Sequence, residues 1–496
     1  MGFVDITKAY DTVDRNILWQ KLARMGIGGK FLRSLQALYT GDCVVSMVNG
    51  LQTGQVYLRR GLRQGCSLSP ILFALYISDI GSDLTGSSVG FRVGDLTLSG
   101  LLFADDIVLI SRTSEGLKEL IGMVNRHCAR LKLEISMEKS QVVSPDEVDT
   151  WDVVGDDDSV LSLKSVLSYK YLGTETSLVM SKTGSARQKR CLSTARKYRF
   201  ACHYVGKTGP DVVDVVLATW NNLAVPSILS GCEVIPFTEE TIEGIERLQA
   251  QLAKRVLDLP ESCPNICAQT ELGIKPFRLV LWQSQLAFYL RALRLPATRW
   301  VSSALSDHLS GEWESPYVSY IMKIREKVGL LDIGPSEKYL RMHLMDWAVD
   351  VTNQKLFSLS TPSIMPIKKF SRELYVGENE GCSSMAVFRL GSAGLGNKEP
   401  RGSFARQTIC MLCYGRLSEQ HVAFECPALE DFRRKETEVT FFRNIFRRRQ
   451  ILVKESYRRF VNGYDWNGNK VLRSEMVKRG LELKALRKHW MRLTGY

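Results

Sequence analysis

The sequence predicts an α+β fold, with short strands near the N-terminus and helices dominating later. Residues 3–6 and 101–110 are apolar runs interrupted by aspartates, which is typical of buried strands that end at an acidic turn. Residues 43–60 carry a strand-like pattern around Asn49-Gly50, the strongest short turn signal for a hairpin. These three segments predict the sheet.

Helical spacing of apolar residues predicts the other elements. Residues 14–40 read as two helices interrupted at Gly26-Ile27-Gly28-Gly29, and Pro70 suits the first turn of a helix through 71–80. Residues 115–131 place their apolar side chains on one helical face, and the pattern from 180 to 300 is mainly helical.

Composition excludes several classes of protein. The chain has 496 residues, 45% apolar and 9% aromatic, so it is neither wholly disordered nor collagen-like. No apolar run reaches the length of about 18 residues that a membrane-spanning helix needs, and the N-terminus lacks a secretory signal. We therefore expect its 12 cysteines to be reduced.

Basic charge is concentrated at the C-terminus. Lys and Arg number 66 against 53 Asp and Glu, a net charge of +13. Residues 431–496 hold 18 basic and 7 acidic residues, so this segment supplies +11 of that total. Such a tail suits phosphate, in nucleic acid or at a membrane surface; a solvated helical face is the alternative. Residues 146–158, with seven carboxylates, predict a surface loop, and 360–403, rich in Gly, Ser and Pro, predict a connector.

Two acidic sites indicate metal chemistry. Asp5 and the pair Asp105-Asp106 each interrupt an apolar strand. A buried carboxylate is costly unless it is paired, protonated or bound to a cation. Two divalent ions held by neighbouring carboxylates can activate a hydroxyl and stabilise the leaving oxygen of a phosphate displacement. The pattern therefore favours nucleotidyl transfer, although each acidic motif alone is weak.

The order of five motifs resembles the reverse transcriptases of non-LTR (LINE-type) retrotransposons. Residues 3–11 (FVDITKAYD) resemble motif A, residues 61–70 (GLRQGCSLSP) motif B, and residues 103–106 (FADD) motif C. Lys139 fits motif D, and Tyr169-Lys170-Tyr171-Leu172-Gly173 fits motif E, the primer grip. A segment at 271–276 (ELGIKP) resembles the thumb region of these elements.

The resemblance implies roles for single residues. Asp5, Asp105 and Asp106 would hold two catalytic Mg²⁺ ions, and Lys139 would act on the departing pyrophosphate. Tyr10 would lie beneath the sugar and exclude a 2′-hydroxyl. Two further groups would contact nucleic acid: Gln64 and Gly65 along the nucleotide and template, and Tyr171, Leu172 and Gly173 at the primer.

A second metal site is predicted near the C-terminus. Cys410, Cys413, His421 and Cys426 have the ligand types and spacing of a closed, structural Zn²⁺ site. Many non-LTR elements carry a Cys-Cys-His-Cys cluster downstream of the polymerase. The aromatic residues interleaved with arginines after it suit stacking on unpaired bases, or packing in a helical core.

The resemblance also implies a domain order. A palm at 1–175, with a small antiparallel sheet backed by helices, would be followed by a helical thumb at 176–300, a connector at 301–403, the zinc knuckle at 404–430 and a basic helical tail at 431–496. Because Asp5 has only four residues before it, the fingers that precede motif A in the family are expected to be missing. The chain would then be an N-terminally truncated polymerase.

Two functions follow as expectations. The first is RNA-directed DNA polymerase activity, which extends a primer DNA 3′-hydroxyl with dNTPs on a template RNA, in the nucleus and a cytoplasmic ribonucleoprotein and with no membrane association. The alternative is an inactive remnant that binds RNA or DNA through the zinc knuckle and tail. Nothing in the sequence sets the oligomeric state.

Overall fold

The computed structural model describes residues 1–359, apart from gaps, and a few residues near the C-terminus. The gaps are residues 146–147, 155–159, 206–211, 258, 260, 262, 311–314 and 331–335; the later residues described are 429, 479, 481, 483–486 and 489. The four predicted zinc ligands, residues 360–403 of the predicted connector and nearly all of the basic tail lie outside the described residues, so these assignments stay predictions.

The chain divides into two compact units. Unit 1 comprises residues Met1–Arg187 and Ala292–Ser315, and unit 2 comprises Gln188–Arg291 and the described residues from Pro316 onward. Each unit has its own buried core. The domain boundaries predicted from the sequence stay predictions.

In the part of the chain that the structure describes, the strands all lie in unit 1. They are β1 Gly2–Val4, β2 Cys43–Val44, β3 Met47–Val48, β4 Leu51–Gln52, β5 Val56–Tyr57, β6 Phe91–Val93, β7 Leu96–Leu98, β8 Gly100–Phe103, β9 Asp106–Leu109, β10 Gln141–Val143, β11 Thr150–Val154, β12 Val160–Val166, β13 Tyr169–Tyr171 and β14 Thr174–Thr176.

A six-stranded sheet in the order β11-β12-β10-β1-β9-β8 is the centre of unit 1. The short strand β1 lies between β10 and β9 and is antiparallel to both. The prediction of a wholly antiparallel sheet is wrong, because β10 and β12 pair in parallel, with the antiparallel strand β11 in the connection between them. Among the described residues, four two-stranded pairs accompany the sheet: β2–β5, which encloses β3–β4 in the chain, and the hairpins β6–β7 and β13–β14.

The helices follow the sequence prediction closely up to residue 300. They are α1 Ala9–Thr12, α2 Arg15–Arg24, α3 Gly29–Tyr39, α4 Ser69–Thr85, α5 Ser114–Arg130, α6 Met180–Val205, α7 Val212–Thr219, α8 Val225–Leu229, α9 Glu239–Val256, α10 Asn265–Leu272, α11 Phe277–Arg294, α12 Trp300–Leu309, α13 Pro316–Lys327 and α14 Glu337–Ser358, with a π-helical turn at Trp220–Ala224. Pro70 lies in the first turn of α4, as predicted. None of the helices over the described residues is long and apolar enough to span a membrane.

Alternation along the strands gives the central sheet two different faces. Val4 and Ile107 join a large core with buried residues of α2, α4 and α5. Phe3, Val108 and Val143 point to the opposite face and form a smaller cluster with aromatic residues of β13. Because side chains alternate with a period of two, residues that continue β1 and β9 fall on predictable faces.

One difference from the sequence predictions appears in unit 1. Residues 150–154, part of the predicted acidic surface loop, form β11, with Trp151 and Val153 buried and Asp152 exposed. The stretch predicted as a connector contains helices as far as Ser358. One of them, α12, is fixed to the β6–β7 hairpin, because the backbone N–H of Gly94 donates to Asp307 at 2.7 Å.

Unit 2 is helical, and buried amides fix its turns. The side chain of Gln249 donates to the carbonyl of Lys275 at 3.0 Å and accepts from the backbone N–H of Phe277 at 3.1 Å. Gly273 ends α10 with a φ of +74°, a conformation that favours glycine. The segment 271–276, singled out in the sequence, is therefore the turn between α10 and α11.

Candidate active site

Three aspartates are brought to one end of the central strand pair. β1 and β9 are antiparallel with Val4 opposite Ile107, so Asp5, which follows β1, and Asp106, which opens β9, come next in the same register. Asp105 lies in the two-residue turn between β8 and β9, where Phe103 pairs with Asp106. The predicted acidic turn between two apolar strands is thus present.

The turn carries an uncommon backbone conformation. Ala104 has a φ of +54°, which a residue with a Cβ atom adopts at a cost of about 1–2 kcal/mol. The pairing of β8 with β9 therefore holds the turn that contains Asp105 in a conformation that is unfavourable for Ala104.

The carboxylates influence one another as charges. Burial raises the pKa of Asp5, the ammonium of Lys139 opposes that shift, and the charge of Asp105 adds to it. Burial also raises the pKa of Asp106, and the charges of Asp105 and Asp5 raise it further. All three carboxylates are therefore within electrostatic reach of each other.

One carboxylate oxygen has no hydrogen-bond donor. Asp5 Oδ1 is buried and accepts no hydrogen bond within the described residues. The Nζ atom of Lys139 lies 3.8 Å from it, close enough to interact as a charge but too far for a hydrogen bond. A buried carboxylate oxygen without a donor is a hard ligand that suits a divalent cation. Asp5, Asp105 and Asp106 in this sense fit the Mg²⁺ that the sequence predicts.

The same carboxylates do not form a closed ligand cluster. In the part of the chain that the structure describes, no three His, Cys, Asp or Glu side chains are arranged to hold a metal ion together.

The backbone of Asp5 is fixed by the segment that precedes β10. Its N–H donates to the buried hydroxyl of Ser140 at 3.0 Å, and its carbonyl accepts from the N–H of Ser136 at 2.9 Å. Nearby, the N–H of Thr7 donates to the carbonyl of Glu134 at 2.8 Å. Ser140 was not predicted from the sequence; its position directly after Lys139 was the only available signal.

Tyr10 lies next to the acidic site. Its ring stacks on Phe73 with centroids 4.9 Å apart, and its pKa is raised by burial and by the charge of Asp105. Its carbonyl accepts from the N–H of Leu62 at 2.7 Å, which ties motif A to motif B.

Motif B approaches α1 very closely. Gly61 has a φ of +90°, and a Cβ atom there would lie 2.8 Å from the carbonyl oxygen of Asp11. Gln64 donates to Asp11 Oδ1 at 3.1 Å, and Gly65, with a φ of +79°, is exposed with open space beside it. Gln64 and Gly65 are therefore on an accessible surface that adjoins motif A.

An ion-pair network anchors motif B, and sequence reasoning missed it. Asp42 is buried and accepts from Arg15 Nη2 at 2.9 Å and from Arg63 Nε at 3.1 Å. Arg15 also donates to the carbonyls of Gly61 and Leu58 at 2.9 Å. These residues are far apart in the chain, so no local pattern indicates that they meet.

The predicted primer-grip residues form a tight hairpin beside the acidic site. Leu172 and Gly173 are its two turn residues, with φ values of +45° and +74°. Tyr169 stacks on Phe3 with centroids 4.3 Å apart. Burial raises the pKa of Tyr171, and the charge of Asp106 raises it further, so this hairpin lies within reach of the carboxylates.

The comparisons with known proteins agree with this geometry. The family model described as "Reverse transcriptase (RNA-dependent DNA polymerase)" matches residues 1–176. Residues 1–176 form a reverse transcriptase domain. Curated relatives indicate that this domain is of the non-LTR retrotransposon type.

Three relatives illustrate the likeness, and all are described as retrovirus-related Pol polyproteins. The protein of the type-2 retrotransposable element R2DM of Drosophila melanogaster is 29% identical over 136 residues, which are 27% of this chain and 13% of that protein. For the type-1 element R2 of Popillia japonica, the identity is 24% over 192 residues, 37% of this chain and 31% of that protein. For the type-1 element R2 of Nasonia vitripennis, it is 26% over 144 residues, 29% of this chain and 14% of that protein. The match thus spans less than a third of each relative.

Proposed function

We propose that this chain is an RNA-directed DNA polymerase of a non-LTR retrotransposon, which extends a DNA 3′-hydroxyl on an RNA template. The observation that carries the proposal is the meeting of Asp5, Asp105 and Asp106 at one end of β1 and β9, with a buried oxygen of Asp5 that lacks a donor. Because an RNA-templated reaction primed at a chromosomal end needs both partners, we propose the nucleus and a cytoplasmic ribonucleoprotein as its locations.

The acidic residues would hold the catalytic ions. Reverse transcriptases use Mg²⁺, and Asp5, Asp105 and Asp106 are the carboxylates of this domain that would bind two such ions. When bound, Mg²⁺ neutralises phosphate charge and lowers the pKa of the attacking hydroxyl. The residues around the carboxylates have separate tasks of binding and orientation.

Neighbouring residues would select and hold the substrates. Tyr10, stacked on Phe73, presents a rigid wall that excludes a 2′-hydroxyl by steric contact and so favours dNTPs. Exposed Gln64 and Gly65 offer an amide and open backbone to the nucleotide and the template RNA. Tyr171, Leu172 and Gly173 would hold the primer DNA.

Lys139 is suited to the leaving group. Its ammonium is mostly exposed, with Nζ 3.8 Å from Asp5 Oδ1, so its positive charge is available beside the carboxylates. There it would stabilise the charge that develops on pyrophosphate, or donate a proton to it.

Primer extension on an RNA template with Mg²⁺ and all four dNTPs tests the proposal. Asp105→Asn should lower incorporation by at least about a hundredfold, since changing even an outer partner of a metal site costs about ten- to a hundredfold. Asp95→Asn, which removes an exposed carboxylate of the β6–β7 turn, is the matched control and should leave the rate unchanged. Equal rates for both variants would refute the assignment.

The same preparation tests the second candidate. RNA binding that survives Asp105→Asn but is lost with Cys410→Ser, in a chain without incorporation, supports a binding protein that uses the knuckle. In that protein one structural Zn²⁺ would be held by Cys410, Cys413, His421 and Cys426, and zinc content per chain would fall on Cys410→Ser.

A further inference from the structure

Residues 43–58 form a narrow β-ribbon with an unusually exposed outer half. β2 and β5 pair at its base, β3 and β4 pair further out, and Asn49 and Gly50, both with positive φ, form the end turn. Every residue from 46 to 60 is exposed. The ribbon therefore presents both of its faces.

The exposed end of the ribbon is apolar. Met47, Val48 and Leu51, which flank the turn, expose 72%, 59% and 76% of their surface. Val56 and Tyr57 nearer the base are also exposed. Val48 and Leu51 pair across the ribbon on one face, and Met47 lies on the other. Exposed apolar surface gathered at one end of an element commonly marks a binding surface, because leaving it in water is unfavourable.

The charge around this patch has one sign. No Asp or Glu occurs between residues 43 and 78, and the charged residues in that stretch are Arg59, Arg60 and Arg63. Arg63 is paired with Asp42. Arg59 and Arg60 are exposed, and neither forms an ion pair among the described residues. Arg59 and Arg60 follow β5, so two free guanidinium groups lie at the base of the ribbon, where they are complementary to the phosphates of a nucleic acid strand that runs along it.

The base of the ribbon is held firmly. The N–H of Leu58 donates to the carbonyl of Asp42 at 2.8 Å, and the side chain of Asp42 is held between Arg15 and Arg63. Arg63 is followed directly by Gln64 and Gly65. Because its base is anchored, the ribbon keeps its tip in one place relative to motif B. The tip can therefore press against a duplex without being displaced.

We propose that the tip formed by Met47, Val48 and Leu51 is a wedge that inserts between base pairs where duplex nucleic acid meets a single strand. Apolar side chains, methionine and leucine among them, are inserted between base steps by proteins that unstack a duplex. Arg59 and Arg60, at the base of the ribbon, bind phosphates further along the same nucleic acid. The inference deepens the proposed function: the wedge opens base-paired template before it reaches Gln64 and Gly65.

The chemistry favours nucleic acid over a second copy of this chain. A second copy of the ribbon carries only the same positive charges and offers Arg59 and Arg60 no acidic partner, since residues 43–78 contain no Asp or Glu. Phosphates supply the opposite charge. A dimer formed through the tip is the rival outcome that the test must detect.

The test replaces the apolar tip and keeps the strands. Met47→Thr, Val48→Thr and Leu51→Thr are combined, because threonine retains β-propensity and removes the apolar surface. The matched control combines Val154→Thr, Val160→Thr and Leu167→Thr, three exposed apolar residues at and beyond the far edge of the sheet. Each protein is assayed on an unstructured RNA template and on one of equal length with a stable stem ahead of the primer.

The expected result is specific to the structured template. The tip variant should make about tenfold less product past the stem, the scale of losing one base contact, and equal product on the unstructured template. The control variant should match the original chain on both. Equal passage through the stem by the tip variant would overturn the wedge.

A binding measurement separates this inference from the proposed function. With 2-aminopurine at the base pair next to a duplex junction and no dNTPs, the original chain should raise the fluorescence by unstacking the probe, and the tip variant should not. If neither the original chain nor the variants incorporate dNTPs, the proposed function fails. The 2-aminopurine fluorescence then tests by itself whether the tip is a wedge. An unchanged signal, or a dimer in sedimentation that the tip substitutions dissolve, overturns it.

Discussion

Gly61 lies where motif B crosses α1, and we expect Gly61→Ala to be among the most destabilising single-methyl additions in unit 1. A Cβ atom at this position would lie 2.8 Å from the carbonyl oxygen and 3.0 Å from the Cα atom of Asp11. Both neighbours are backbone atoms, so neither can rotate away. A hydrogen bond also holds the crossing in place: the N–H of Gly61 donates to the carbonyl oxygen of Val13 at 2.8 Å.

Two costs add for this substitution. An alanine at a φ of +90° costs about 1–2 kcal/mol. Forcing a methyl group against fixed backbone costs about 1–3 kcal/mol more. We therefore expect the free energy of unfolding to fall by about 2–5 kcal/mol, measured by urea unfolding followed by circular dichroism.

Gly65→Ala supplies the matched control. Gly65 has a φ of +79°, but nothing lies within 4 Å of the position its Cβ would take. It should therefore show only the conformational cost of about 1–2 kcal/mol. If Gly61→Ala is no less stable than Gly65→Ala, the close approach of motif B to α1 is not what the geometry indicates.

Three further substitutions test separate parts of unit 1. Asp42→Ala should lower the free energy of unfolding by about 3 kcal/mol, because it removes the carboxylate that neutralises the largely buried Arg15 guanidinium; an unchanged urea midpoint would contradict this. Phe3→Ala should cost about 3–5 kcal/mol, because it removes the ring on which Tyr169 stacks, and calorimetry checks it. Burial lowers the pKa of His127 below its ordinary value of 6.5. The stability that the neutral His127 side chain contributes is therefore complete above pH 6.5 and is lost as the pH falls through the lowered pKa. Melting temperatures of the original chain and His127→Gln should therefore diverge as the pH falls, with the original chain losing more; parallel curves would refute the shift.

Local patterns predicted the elements that carry the chemistry. The alternating segment at 43–60, the proline at the start of α4 and the acidic turn between β8 and β9 were each visible within about ten residues of sequence. The reason is physical: turn geometry, helix starts and strand alternation depend on neighbouring residues. The meeting of Asp5 with Asp106, in contrast, came from the family resemblance, since about a hundred residues separate the two.

The prediction of a surface loop from acidic composition was wrong for residues 150–154. Seven carboxylates at 146–158 indicated a surface loop, yet residues 150–154 form a strand because Trp151 and Val153 alternate inward while Asp152 points to solvent. Lys118 lies over the Trp151 ring at 5.9 Å. The period of two was present in the sequence, but the acidic composition outweighed it.

Long-range pairs account for the remaining misses. The hydrogen bond from Gly94 to Asp307 spans 213 residues, and Ser303 donates to the carbonyl of Val93 at 3.0 Å. Nothing local in α12 indicates that this helix belongs with the β6–β7 hairpin. A side chain that caps a distant backbone group leaves no periodic signal, so the return of Ala292–Ser315 to unit 1 was not predictable.

The short strand β1 links stability and chemistry in the reverse transcriptase domain. Phe3 and Asp5 are two residues apart and so fall on one face of the sheet, where Phe3 supports Tyr169 and packs near Tyr171. Packing against the Phe3 ring therefore helps to set the position of the β13–β14 hairpin, the proposed primer grip, relative to Asp5. Phe3→Leu keeps an apolar residue in the cluster but removes the stack, so it should weaken primer use more than it weakens folding. A purely structural role would change only stability. A rise in the primer KM whose free-energy equivalent exceeds the loss of unfolding free energy would therefore separate these two effects.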